Sequence, residues 1–249
     1  MILNSVSVDC VIFGFDQSGL RVLLNQINRE ALLQSLPEQA SSEQIKELYE
    51  QHPVLTSDHF WSLFGGHVPE KQDLDEFAKE LLHKATGLKN VFLQQIHAFG
   101  SLERVPYTRV ITIGYYALIN PDYYNLKRSG IAKSLQWFNI HELPALCFDH
   151  EKIIRQALVK LQQEVMYHPV GFHLLPEKFT LTEIQSLYEV ILNKKMDTRN
   201  FRKKLAKMGL LVDSGEKQQN VAHRAARLYQ FDIQVYKKLK EEGLNFRIE

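Results

Sequence analysis

Apolar positions follow two different rhythms along the chain. As far as Phe138 they come in dense β-branched and aromatic blocks. The first is Val6-Ser7-Val8-Asp9-Cys10-Val11-Ile12-Phe13-Gly14-Phe15; after the turn cluster Asp16-Gln17-Ser18-Gly19 comes Leu20-Arg21-Val22-Leu23-Leu24-Asn25-Gln26-Ile27. Two such blocks around a turn predict a β-hairpin. Phe60 to Phe64, Val91 to Gly100, Arg109 to Ile119 and Leu135 to Phe138 predict further strands. The polar stretch Arg29–His59 holds one helix-like piece, Ser42 to Tyr49, and reads as an insertion on the surface.

From Asp149 onward the rhythm is helical. A helix is predicted from Asp149-His150 to Tyr167, and His168-Pro169-Val170-Gly171 ends it and marks a domain boundary. Thr180 and Glu183 form a capping box before the stripe Leu181, Ile184, Leu187, Tyr188 and Ile191. Asp197 caps a second helix, Thr198 to Met208, stopped by Gly209, and the short connection makes a helix-turn-helix. Phe201, Leu205 and Met208 turn inward, so Arg199, Asn200, Arg202, Lys203 and Lys207 face out, a set suited to phosphates and base edges. Leu210-Leu211-Val212, a turn at Asp213-Ser214-Gly215-Glu216 and Arg227 to Phe231 complete a winged helix, with Lys217, His223, Arg224 and Arg227 on or beside the wing.

Composition changes this picture mainly through charge. With 249 residues, 45% of them hydrophobic and 24% charged, the chain is ordinary for a globular protein with a packed core. No apolar run approaches a membrane span, and Met1-Ile2-Leu3-Asn4-Ser5 lacks the features of a signal peptide, so a cytoplasmic protein without a membrane partner is expected. Cys10 and Cys147 lie in apolar stretches too far apart for a metal motif and read as core thiols. The net charge of +1 hides a split, since residues 170–249 hold 15 Lys+Arg against 10 Asp+Glu. That basic half is the candidate for nucleic acid.

The best chemical motif runs from Gly65-Gly66-His67-Val68 to Thr86-Gly87-Leu88. It resembles the Nudix box, a loop-helix-loop whose glutamates hold a divalent metal against a pyrophosphate. With the pattern G-x5-E-x7-R-E-U-x-E-E-x-G-U laid on Gly66, Gly87 and Leu88 fall correctly at its far end. The chemical positions between do not match: Gln72 replaces the first glutamate, Glu80 the arginine, Leu81 the next glutamate, and Lys84 and Ala85 the metal-binding pair. A hard cation such as Mg²⁺ needs oxygen ligands, and a lysine amine brings positive charge instead. The shape-giving residues remain: Leu74, Phe77, Ala78, Leu81 and Leu82 keep helical spacing, Gly87 suits a helix C-cap, and the Gly-Gly pair is expected to supply backbone conformations closed to other residues. The box reads as a pocket that binds without cutting. No catalytic residue, metal or cofactor is expected.

Nearly the whole chain resembles the Nudix-related transcriptional regulators, which include the NrtR regulators of NAD metabolism and the arabinose-responsive AraR group. The carriers are Val8 to Phe15, Gly171 to Pro176, Phe179 to Thr182 and Asp197 to Leu205; Arg224, in His223-Arg224-Ala225-Ala226, matches the arginine of the G-R-P-A such regulators often carry in the wing. The resemblance implies an α+β protein: residues 1–168 a Nudix-like α/β/α sandwich with a mixed sheet, residues 169–249 a winged helix-turn-helix domain. It implies a homodimer on a double-stranded DNA operator, held by Thr198, Arg199, Asn200, Arg202, Lys203, Lys207, Arg224 and Arg227. It also implies a small effector, either a sugar such as a pentose, with a role in carbohydrate metabolism, or an ADP-ribose-like nucleotide. Trp61, His67, Glu103, Arg104, Arg109 and Tyr115 are the candidate effector residues. The alternative is a Nudix hydrolase acting on a nucleotide diphosphate such as ADP-ribose, with Glu70, Glu76 or Glu80 as replacement ligands.

Overall fold

The first apolar block becomes the strand on which the N-terminal unit is built. In the computed structural model, which describes residues 5–16, 19–28, 30, 41–57, 59–87, 89, 91–105, 109–121, 134–219, 224–243 and 246–248, this is β1 (Val6–Asp16). Val8, Cys10, Val11, Ile12 and Phe13 are fully buried, so side chains on both faces of β1 are covered, which is why the sequence shows a nearly continuous apolar run. Along one edge it runs parallel to β6 (Ile111–Ile119), which is flanked in turn by β5 (Phe92–Phe99). Two antiparallel strands pair with different lengths of β1: β2 (Gly19–Asn28) with Ile12 to Asp16, and β4 (Phe64–His67) with Ser7 to Cys10. With β3 (His59–Ser62) and β7 (Ser134–Asn139) on β2, the mixed sheet has seven strands among the described residues.

Leu63 is the joint where the chain passes from pairing with β2 to pairing with β1. Its peptide groups are buried, and buried backbone groups must be satisfied. Side chains do this: the Leu63 N–H donates to His150 Nδ1 at 3.1 Å, and Asn25 Nδ2 donates to the Leu63 carbonyl at 3.1 Å.

The Arg29–His59 stretch is more than surface decoration. It carries α1 (Ser42–Gln51), opened by a Ser41–Gln44 capping box, and then a 3-10 turn Pro53–Thr56. Leu48 and Leu55 are fully buried in one cluster with Phe60 and Cys147. The single apolar face of a short helix was enough to make it part of the core.

The motif helix is α2 (Leu74–Thr86); it ends at Gly87, whose φ of 77° is left-handed and whose N–H bonds to His83 O. Ala78 and Leu82 pack on Val8, Cys10, Phe64 and Tyr115. Leu88, the aliphatic that should close the box, lies outside the described residues.

Contacts divide the chain at Ala157 and Leu158, inside α3 (His150–Tyr167), ahead of the boundary expected at His168. The last turns of α3 join the C-terminal unit because they pack there: Gln162 Nε2 donates to Ile191 O at 2.8 Å, and Ile248 N to Met166 O at 3.0 Å. This unit contains a 3-10 turn Pro169–Leu174, α4 (Leu181–Leu192), α5 (Thr198–Met208), β8 (Leu211–Lys217), β9 (Arg227–Phe231) and α6 (Ile233–Glu241). The helix caps fall on Thr180, Asp197 and Gly209, as the sequence predicts. The wing differs, because no turn forms at Asp213 to Glu216. Instead β8 continues to Lys217, which still pairs with Arg227, and the irregularity is absorbed at Gly215 with φ 74°. Ser214 Oγ holds the two strands together by donating to Leu228 O at 2.9 Å.

Candidate functional site

The box glycines owe their identity to space, not to unusual backbone torsions. Gly65 and Gly66 lie in β4, and neither is among the glycines with positive φ, contrary to the expectation from sequence. A Cβ on Gly65 would sit 2.0 Å from Asp9 Oδ1, and one on Gly66 would sit 3.2 Å from Phe77 Cζ. The bare backbone lets a carboxylate and the motif helix approach together.

On α2 the altered positions satisfy one another. Glu80 is paired with Lys84 one turn on, and Gln72 Nε2 donates to Glu80 Oε2 at 2.6 Å. The hydrogen bond from Lys84, then that from Gln72, hold the Glu80 carboxyl below its ordinary range. Leu81 and Ala85 pack against the core with Ala78 and Leu82. Among the described residues no group of three His, Cys, Asp or Glu side chains is arranged to hold a metal ion.

Arg104 is 6% exposed, and all three of its guanidinium nitrogens have partners. Nε and Nη2 donate to the two carboxylate oxygens of Asp149 at 3.1 and 2.8 Å, a bidentate pair, and Nη2 also lies 3.5 Å from Asp9 Oδ2. Nη1 donates to Thr112 Oγ1, whose oxygen is 2.5 Å from Ser7 Oγ. His150 Nδ1 accepts from Leu63 N, which leaves Nε2, 3.9 Å from Asp9 Oδ2, to carry the ring proton. The sequence reading missed this knot of Arg104, Asp9, Asp149, Thr112 and His150. Its one signal was Asp9, a carboxylate inside an apolar strand, since such groups are seldom buried unless paired.

Tyr115 is buried too, at 2% exposure, and its hydroxyl donates to Asp75 Oδ1 at 2.6 Å. Burial and this bond raise its pKa far above the ordinary phenol value. It lies opposite Cys10 on the α2 side of the sheet, whereas Thr112, which holds Arg104, lies three residues earlier on β6. Successive side chains alternate faces, so Arg104 and Tyr115 serve opposite faces of the sheet and cannot line one site together. Of the other candidates, Trp61 is half-buried and packs edge-on against Phe138 at 4.7 Å. His67, Glu103 and Arg109 are exposed, and His67 Nδ1 is 3.1 Å from Ser5 Oγ.

The outward face of α5 is built as its periodicity requires. Phe201 and Leu205 are buried, and Thr198, Arg199, Asn200, Arg202, Lys203 and Lys207 are exposed. The Asp197 carboxylate accepts from Asn200 N at 2.7 Å and fixes the first turn. Arg202 Nη2 donates to Thr182 Oγ1 at 3.2 Å. Arg224 is exposed ahead of β9, and Arg227 is paired with Asp213 across the hairpin at 3.0 Å. His223 lies outside the described residues.

A sheet with a glycine-led motif helix, followed by a capped helix-turn-helix and a wing, defines a Nudix-related protein with a winged-helix module. Residues 171–231 match the NrtR DNA-binding winged helix domain. The chain is 30% identical over 236 residues to the ADPR responsive transcriptional repressor NtrR of Acinetobacter baylyi, covering 93% of this chain and 83% of that one. Among solved structures it resembles Shewanella oneidensis NrtR complexed with a 27mer DNA, at 25% identity and a TM-score of 0.72, over 93% of this chain and 95% of that one. A shorter match, 30% identical over 98 residues, covers 39% of this chain and 57% of an ADP-ribose pyrophosphatase of Methanocaldococcus jannaschii. The chain belongs to the NrtR family of Nudix-related transcriptional regulators.

Proposed function

We propose that the chain is a DNA-binding transcriptional regulator whose Nudix-like domain binds ADP-ribose, or a nucleotide much like it, without hydrolysing it. The observation that carries this is the relationship to the Acinetobacter baylyi repressor, which spans both units and not just the DNA-binding module. The box chemistry supports it: Gln72, Leu81, Lys84 and Ala85 stand where a hydrolase needs oxygen ligands, and Glu80 is already committed to Lys84 and Gln72. Nothing in these relatives favours a pentose over the nucleotide.

In this reading Thr198, Arg199, Asn200, Arg202, Lys203 and Lys207 meet DNA, with Arg224 and Arg227 beside the wing, and a homodimer grips a near-palindromic site. Trp61, His67, Glu103 and Arg109 remain as effector contacts. Arg104 and Tyr115 act indirectly, one from each face of the sheet, by fixing the elements that carry the site. ADP-ribose must bind one of two protein arrangements more tightly, because equal affinity for both shifts nothing.

The experiment is a thermal-shift titration of the full chain with ADP-ribose, arabinose and ribose, with and without Mg²⁺, followed by product analysis. A metal-independent rise in melting temperature with ADP-ribose alone, and no AMP formed, is expected. Release of AMP would instead support the hydrolase that the Methanocaldococcus jannaschii match suggests. A shift with a pentose alone would restore the sugar reading.

A further inference from the structure

The turn that presents α5 is held by polar side chains of α4. Residues 193–197 have little apolar anchorage: Asn193, Lys194, Lys195 and Asp197 are exposed and only Met196 is half-buried. Asn193, with φ 48°, ends α4 in a left-handed conformation. Beyond it, Glu189 Oε1 accepts from Met196 N at 3.0 Å and Glu189 Oε2 from Lys195 Nζ at 3.0 Å. Gln185 Nε2 is 3.0 Å from Glu189 Oε1, 3.3 Å from Met196 O and 3.1 Å from Thr198 Oγ1. A carboxamide nitrogen has two protons, so three acceptors must share them, and Gln185 can act only as a donor here. Thr182, Gln185 and Glu189 fall three and four residues apart and so form one polar stripe on α4. Through Arg202, Thr198 and the Met196 peptide, this stripe fastens the first turns of α5.

We propose that Gln185 and Glu189 are positioning residues for DNA recognition: they fix the entry of α5 and hold Thr198 so that its hydroxyl proton points outward to a phosphate oxygen. Thr198 Oγ1 accepts from Gln185 through one of its two lone pairs, which directs the hydroxyl and keeps its proton available to an acceptor. A phosphate oxygen, which only accepts, is the acceptor that DNA presents at every step of its backbone. This rests on the reading of α5 as the recognition helix.

The test uses full-length protein and two duplexes: a consensus selected by the wild-type chain from a randomised duplex pool, and a scrambled duplex of the same length. Gln185→Ala and Glu189→Gln should each weaken binding to the consensus by about tenfold, as for one or two lost hydrogen bonds. On the scrambled duplex the loss should be smaller, since both duplexes offer Thr198 a phosphate but only the consensus rewards the placement of α5 against base edges. The slope of log Kd against log salt should stay at its wild-type value, because neither residue supplies positive charge. Thr198→Ser should bind as wild type and Thr198→Val should not. In the Gln185→Ala background the Val substitution should cost less than it does alone, the non-additivity expected of coupled residues. Equal loss on both duplexes, additive effects of Gln185→Ala and Thr198→Val, or unchanged binding to the consensus by the variants would overturn the proposal while leaving the regulator reading intact. If the wild-type chain selects no consensus at all, both fall.

Discussion

At the scale of single residues, the buried knot around Arg104 decides what the N-terminal unit can tolerate. One guanidinium neutralises Asp149 and faces Asp9, and all three side chains are largely out of water. Removing one partner of a buried ion pair leaves uncompensated charge, so Arg104→Ala should destabilise the fold by about 3–5 kcal/mol, read as a lower denaturation midpoint. A loss within the range of a surface substitution would mean that water reaches the pair. Gly65→Ala tests the space argument. Its Cβ would meet Asp9 Oδ1, so about 1–3 kcal/mol of stability should be lost, although the backbone there suits any residue. From sequence, Arg104 is an effector candidate because it falls on an element around the Nudix cleft, and a charged side chain there, seldom buried unpaired, could hold a phosphate or sugar hydroxyls. Its partners come from positions as distant as Asp9 and Asp149, and no local pattern reports such an encounter.

Helices and strands were more legible, because their determinants are local. Capping boxes, left-handed glycine caps and helical spacing placed α4 and α5, and β-branched blocks placed β1 and β2. The wing and the insertion were less so, since both depend on tertiary packing. The strand β8 runs through Gly215 because β9 pairs beyond it, and α1 is fixed by two leucines buried against distant residues. Leu48→Ala should therefore cost about 2–5 kcal/mol in unfolding free energy, the range for an emptied core position. A near-zero change in a denaturant titration would return the segment to surface decoration. In the helix-turn-helix, the hydrogen bond from Gln185, then those from Met196 and Lys195, pull the Glu189 pKa down to about 2. A depressed carboxylate contributes stability that is fully present above its ordinary pKa and fades as pH falls toward the folded value. Melting of wild type and Glu189→Gln should thus differ most at neutral pH and converge as pH approaches about 2. A difference independent of pH would show that the charge of Glu189 contributes nothing.

For the whole molecule, two units with separate cores are joined in sequence through α3, and the relationship to a repressor spans both of them. Charge is divided to match, with the basic excess in residues 170–249. The uneven charge of the two units was legible in the sequence, whereas the effector was not: a box without the Nudix acids does not name what is held. The measurement that bears most directly on the account is fluorescence anisotropy of the selected consensus duplex with the full chain at fixed salt, titrated with ADP-ribose and, separately, with arabinose. ADP-ribose should change the fraction of duplex bound in a saturable way without Mg²⁺, and arabinose should leave it unchanged. Binding to the consensus that ADP-ribose does not alter at any concentration, with or without Mg²⁺, would contradict the account.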